Sequence, residues 1–256
     1  MEQRELRILH GNTCNPLFPP KVETFSKFLS SGGTLKPRFD LIIFDLDGTL
    51  IDSRIDLANS VNYTRLQMGL PPLPSELIFT YIGDGAAMLV RRAMGEGLGD
   101  QDIKDALSTF MNHYKQHLLD HTVLYPGVLE TLNDCAGLKL AVLSNKPVEP
   151  STTILEALKV RDRFFLIYGG DSFEQKKPHP MGIEQILKDT GVPRDCALMV
   201  GDSRIDVQTG QNAGVATCGV TYGLASYTLE EVKPDYLIHH FKDLIGVITA
   251  SSNTDK

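Results

Sequence analysis

The sequence predicts an α/β fold, a mostly parallel sheet flanked by helices, with a small all-helical cap inserted after the first strand. Three observations predict it. Short apolar runs recur at 41–44 (LIIF), 139–143 (KLAVL), 164–168 (FFLIY) and 197–200 (ALMV), each followed at once by a polar cluster, as buried parallel strands are. Helix-spaced apolar residues separate the later runs. From about Arg54 to Thr122, between the first run and the second, the pattern is helical throughout.

At 256 residues the economical arrangement is one core domain carrying a smaller insertion. The expected boundaries are an N-terminal extension at 1–37, a core made of 38–53 and 123–256, and a cap at 54–122. A formal charge of −7 argues against nucleic acid or an anionic membrane as partner, so small anions must be held by local basic groups. Cys14, Cys135, Cys196 and Cys218 are scattered with no CxxC pair, which indicates neither a zinc site nor a disulfide framework. No apolar run reaches the ~20 residues that span a bilayer. The expectation is a cytoplasmic protein with reduced thiols, monomeric or homodimeric.

The first run leads into Asp45 and Asp47, then Gly48-Thr49. Two acids one residue apart at the end of a buried strand would repel each other at a cost of several kcal/mol unless a cation or proton offsets them. A divalent metal is the natural counterion. Gly48 permits a sharp turn, and the Thr49 hydroxyl with the loop amides can approach an anion such as phosphate. In the insert, Leu57, Val61 and Met68 share one face, Pro71, Pro72 and Pro74 end it, and Ile103, Leu107, Phe110, Met111, Tyr114 and Leu118 form a second face. Tyr81-Ile82-Gly83-Asp84-Gly85 opens a helix between them, with a second reading as a loop that dips into the site. Arg91 and Arg92 read as solvated. His113, His117 and His121, at i, i+4 and i+8, read as one solvated helical face rather than a metal site.

Leu124-Tyr125-Pro126-Gly127 returns the chain to the core. The second run ends in Ser144-Asn145-Lys146-Pro147, where Ser144 and Asn145 can donate hydrogen bonds to a phosphoryl oxygen. After the third come Gly169-Gly170-Asp171 and Lys176-Lys177-Pro178-His179-Pro180; Lys177, held extended beside a proline, is the candidate cation, with Lys176 and His179 as exposed neighbours. The fourth ends in Gly201-Asp202-Ser203-Arg204-Ile205-Asp206, a strand-to-helix junction. Asp202 is the stronger metal ligand there; Asp206 binds through water, orients Lys177, or satisfies the helix dipole. Further strands are expected near 215–220 and 236–238, then a closing helix and a frayed end from Ser251. The extension 1–37 holds a short helix-spaced set, Val22, Phe25, Phe28 and Leu29.

In their order, DLDGT, SNK, KKP and GDSRID resemble the four motifs of the haloacid dehalogenase-like hydrolase superfamily, over about Asp40 to Ile245. SNKP, KPHP, GDSRIDVQTGQNAG and the TYG at Thr221 to Gly223 are most similar to its phosphoglycolate phosphatase group. The resemblance implies a Rossmann-like core and hydrolysis of a small phosphorylated metabolite through an aspartyl-phosphate. Asp45 would be the nucleophile and Asp47 the general acid and base. Mg²⁺ would be held by Asp45, Asp202 and the Asp47 backbone carbonyl, with Thr49, Ser144, Asn145 and Lys177 around the phosphate and Asp206 in support. The expected substrate is 2-phosphoglycolate. Alternatives are another small phosphate (a sugar phosphate, nucleotide or pyrophosphate), a β-phosphoglucomutase-like phosphomutase, or, more distantly, a non-catalytic binding protein.

Overall fold

A computed structural model describes residues 37–249. The expectations for the N-terminal extension, Cys14 and the C-terminal end lie outside the described residues. Six strands form one sheet, β1 (Leu41–Phe44), β4 (Lys139–Leu143), β5 (Leu166–Tyr168), β6 (Ala197–Gly201), β7 (Ala216–Val220) and β8 (Tyr236–Ile238). Their spatial order is β5-β4-β1-β6-β7-β8, every neighbouring pair parallel. Taken as core strands one to six, this is the 3-2-1-4-5-6 order of a doubly wound sheet, whose direction of winding reverses between β1 and β6.

β1 sits at the centre, with Leu41 opposite Lys139 on one side and Ala197 on the other. All four of its residues are buried. The two-residue period of a strand divides them between the faces of the sheet. Leu41 and Ile43 pack with Leu143, Ile183, Ile186 and Met199 on one face; Ile42 and Phe44 join the larger core on the other. There the Phe44 ring lies 5.8 Å from that of Phe241 and 6.2 Å from that of Phe164. A strand buried on both faces reads as a continuous apolar run, which is why LIIF shows no alternation.

The insert comprises α1 (Arg54–Gln67), α2 (Ser75–Phe79), α3 (Ala86–Met94) and α4 (Asp100–Gln116). The longest two pack on each other and α3 packs on both, burying Leu57, Val61, Leu89, Val90, Ala106 and Phe110. Arg65 is buried among them because its guanidinium donates to the carbonyls of Pro71 and Ala93, tying α1 to the loop beyond it and to α3. Core helices α5 (Val128–Asp134), α6 (Val148–Ala157), α7 (Met181–Thr190), α8 (Arg204–Ala213) and α9 (Leu244–Thr249) complete the described chain. None of the described helices is long and apolar enough to cross a membrane. Cys135 and Cys218 are free and buried.

Three details differ from the sequence expectations. The third core strand starts at Leu166 rather than Phe164. Before the insert the chain forms β2 (Ile51–Asp52), and after it β3 (Val123–Leu124); the two pair antiparallel and are too short for any periodicity to reveal them. The histidine helix ends at Gln116 with His117 as its C-cap, so His121 does not share its face. Asp56, in the first turn of α1, accounts for this break. Its carboxylate accepts hydrogen bonds from the backbone N–H groups of His121 (3.0 Å) and Thr122 (2.8 Å) and from the Thr122 hydroxyl (2.7 Å), and His121 Nδ1 lies 2.8 Å away. The two chain crossings between core and insert are thereby clamped together. Asp56→Ala strands these donors in a buried site and is expected to cost about 1–3 kcal/mol by urea denaturation. Lys115→Ala, which removes only the exposed pair with Glu149, should cost less than about 1 kcal/mol.

Candidate active site

Because all six strands run the same way, Asp45, Ser144 and Asp202 emerge at one edge of the sheet, around the crevice where its winding reverses. The Asp45 N–H extends the ladder by donating to the Val200 carbonyl (2.9 Å). The chain then reverses through Gly48, at φ +91°, with its N–H on the Ile51 carbonyl (2.9 Å). Only glycine suits this turn. A Cβ here would need left-handed backbone and would sit 2.3 Å from Asp202 Oδ2. Gly223 also packs against this residue, where a Cβ would lie 2.1 Å from Asp202 Cβ, while the Ala225 N–H donates to Oδ2 (2.8 Å).

Lys177 lies at the centre of the carboxylates. Its Nζ is 2.7 Å from Asp45 Oδ1 and 2.6 Å from Asp206 Oδ1. Asp206 is fixed in turn by the Ser203 N–H (3.1 Å) and hydroxyl (2.6 Å), a capping box at the start of α8. Asn145 supports this lysine through its backbone. It accepts from the Lys177 N–H (3.1 Å) and donates to the Lys177 carbonyl (3.2 Å), and its amide also reaches the Gly83 carbonyl of the insert (3.3 Å). Ser144 is buried at the cavity wall. Thr49 does not join the group: it is fully buried, its hydroxyl has no hydrogen-bond partner, and its carbonyl accepts from the Tyr222 hydroxyl (2.9 Å). Lys176 and His179 are exposed.

The charges are strongly perturbed. Burial pushes the Asp45 carboxyl up to about 6; Lys177 opposes the shift, and Asp206 and Asp47 add to it. Burial likewise raises Asp202 well above the ordinary carboxylate range, reinforced by Asp206 and Asp45 against the Ala225 N–H and Lys177. Burial alone would lower Lys177, but Asp206 and Asp45 outweigh it, so its ammonium is held more tightly than in water. Four carboxylates, Asp45, Asp47, Asp202 and Asp206, thus face two buried lysines, Lys146 and Lys177, leaving two negative charges uncompensated. Asp45, Asp202 and Asp206 each present an oxygen within 4.8 Å of the others. Hard oxygen donors with a surplus of two negative charges fit a divalent cation such as Mg²⁺.

The Asp47 carboxylate is not in that group. It turns to Lys146, whose Nζ donates to both oxygens (2.9 and 3.0 Å), and to the Ser53 hydroxyl. Lys146 also donates to the Tyr114 hydroxyl on α4 (2.7 Å) and lies 4.7 Å from the centre of that ring. Sequence reasoning gave neither Lys146 nor Tyr114 a role. Lys146 was visible inside SNKP, as a lysine just past a strand end; Tyr114 sits on an apolar helix face, where an aromatic residue reads as core. Between them and Asp45 lies a cavity of about 50 Å³, roofed by Ile82, Gly83, Leu89, Phe110 and Met111 of the insert. The Gly83 loop therefore does dip into the site.

A family model described as haloacid dehalogenase-like hydrolase matches residues 42–220. A phosphoglycolate phosphatase of Pseudomonas putida is 43% identical over 199 residues, 75% of this chain and 71% of the relative. The phosphoglycolate phosphatase of Haemophilus influenzae is 36% identical over 224 residues, covering 84% of this chain and all of the relative. A solved structure of a predicted phosphoglycolate phosphatase from Haemophilus somnus superposes with a TM-score of 0.78 at 34% identity, over 82% of this chain and 98% of that one. With this fold, this order of strand-end motifs and these relatives, the chain belongs to the haloacid dehalogenase-like hydrolase family.

Proposed function

We propose that the protein is a Mg²⁺-dependent phosphomonoester hydrolase that works through a phosphorylated Asp45, with 2-phosphoglycolate as its substrate. The observation that carries this reading is the meeting of Asp45, Asp202 and Asp206 around Lys177 at the reversal point of the sheet, directly beneath the helical insert. The names of the relatives support this choice of substrate. Among the described residues the core spans 38–53 and 123–249, and the insert, 54–122, acts as a cap that shields the reaction from bulk water.

An Asp45 carboxylate oxygen attacks phosphorus as the ester P–O bond breaks, and the departing alkoxide takes a proton from Asp47. Water then attacks phosphorus, gives a proton back to Asp47, and inorganic phosphate leaves Asp45. Lys146 and Ser53 hold Asp47 in orientation. Lys177, backed by Asp206, neutralises both Asp45 and a phosphoryl oxygen, while Ser144 donates to another. Asn145 sets the position of Lys177. Asp45, Asp202 and the Asp47 carbonyl would hold Mg²⁺, which would supply the positive charge that lets an anionic substrate approach an anionic nucleophile.

Phosphate release should be fastest from 2-phosphoglycolate, compared with hexose phosphates, nucleotides and pyrophosphate, and should stop with a chelator. Asp45→Asn should be inactive on all of them. Preference for another ester would overturn the substrate assignment alone, whereas no release from any ester with Mg²⁺ present would overturn the hydrolase mechanism. Asp47→Asn should lose about 10²–10⁴-fold on an alkyl phosphate and much less on an activated aryl phosphate, whose leaving group needs no proton. Equal losses on both would rule out the acid role.

The perturbed carboxylates also predict a thermal signature. Asp45 takes up its proton at about 6 when folded against 3.8 when unfolded, so between these values the folded state binds more protons. Its stability in chelator should therefore fall as pH rises from about 4 to 6. Mg²⁺ should offset this loss, raising Tm more at pH 7.5 than at pH 5. Asp202→Asn should raise Tm in chelator and shrink the Mg²⁺ response.

A further inference from the structure

We propose that Lys146, with the Tyr114 hydroxyl beside it, is the subsite for a carboxylate on the alcohol portion of the substrate, so that the enzyme selects phosphate esters of short hydroxy acids. The inference rests on the hydrolase reading above and adds to it the residue that sets selectivity.

The two buried lysines of the site are differently placed. Lys177 is enclosed between Asp45 and Asp206 and serves the phosphoryl end. Lys146 borders the cavity itself and touches Asp47, so the alcohol portion lies near it once its ester oxygen meets the Asp47 carboxyl. Burial works against its charge, but Asp47 and Tyr114 more than restore it, so the cation persists in a site that is only 7% exposed. The surrounding wall is apolar, with Ile82, Leu89, Phe110 and Met111. Sugar hydroxyls entering this space would give up hydrogen bonds to water without replacement. A carboxylate would gain a charge-assisted hydrogen bond from Lys146 in exchange for one of the two that its ammonium makes to Asp47.

Distance and volume limit the substrate further. Lys146 Nζ is 2.9 Å from Asp47 Oδ1. A ligand that touches both must therefore carry its carboxylate only a few bonds from the ester oxygen. The small cavity closed over by Ile82, Leu89, Phe110 and Met111 likewise favours a short acid over a hexose or nucleoside unless the cap opens. Since Lys146 belongs to the core and Tyr114 to α4, a carboxylate that meets this pair side-on also contacts both parts of the closed enzyme.

The test compares ligands that differ in this one group. Non-hydrolysable 3-phosphonopropionate and propylphosphonate are titrated calorimetrically in Mg²⁺, and turnover of 2-phosphoglycolate is measured against ethyl phosphate. The wild-type protein should bind the carboxylated phosphonate at least tenfold more tightly and prefer phosphoglycolate by at least as much in kcat/KM. Both preferences should collapse to within threefold in Lys146→Met and in Lys146→Gln, which retains hydrogen-bond donors without charge, and fall partway in Tyr114→Phe. Reading ratios separates selectivity from any general loss caused by disturbing Asp47. If the variants lose both ligands in proportion, Lys146 only positions Asp47 and the proposal is overturned while the hydrolase reading stands. If no ester is turned over but the binding preference depends on Lys146, the subsite stands and the hydrolase reading fails.

Discussion

Four carboxylates at the ends of neighbouring parallel strands and their loops are the constraint around which this molecule is built. Asp45 and Asp202 are buried and sit far above their ordinary protonation range. Such an arrangement is tolerable only with compensating cations. Lys177 is delivered from the loop after β5, and Asn145 grips its backbone from the loop after β4. The glycines at 48 and 223 exist so that backbone can press against Asp202. Such a concentration of charge costs stability locally, and its donor set fits a divalent cation that would recover it.

The helical insert depends on the same region. It leaves the core just after the first two acids and returns through β3, with Asp56 holding both crossings. Among the described residues, two polar contacts join its inner surface to the site: Tyr114 on Lys146, and the Gly83 carbonyl on the Asn145 amide. Each of these joins the insert to a residue that itself supports a catalytic candidate. Cap position is therefore tied to the orientation of Asp47 and Lys177 through the Lys146 ammonium and the Asn145 amide.

The alternating assignment of β1 to two cores explains why the central strand was the easiest element to read. An unbroken apolar run flanked by a DxDGT loop has few other uses, and the same holds for the runs ending at Leu143 and Val200. Where sequence reasoning fell short, the signal was short or spatial. Two-residue strands have no period. The histidine spacing suggested a continuing helix because the carboxylate that pulls His121 and Thr122 away lies 65 and 66 residues earlier in the chain.

By itself the sequence determined the fold class, the family and the identity of the acids at the strand ends, because each depends on residues adjacent in the chain: an apolar strand, then a turn, then a reactive group. Only the tertiary structure decided how those groups are used against one another. It turned Thr49 into the interior, tied the Asn145 amide at the cavity wall to the Lys177 backbone, and joined Asp206 to Lys177. It also placed Lys146 on Asp47, 99 residues away, beneath a tyrosine from the cap. The physical reason is that side-chain partners at such separations are chosen by the packing of whole helices and strands, and no local pattern encodes that choice.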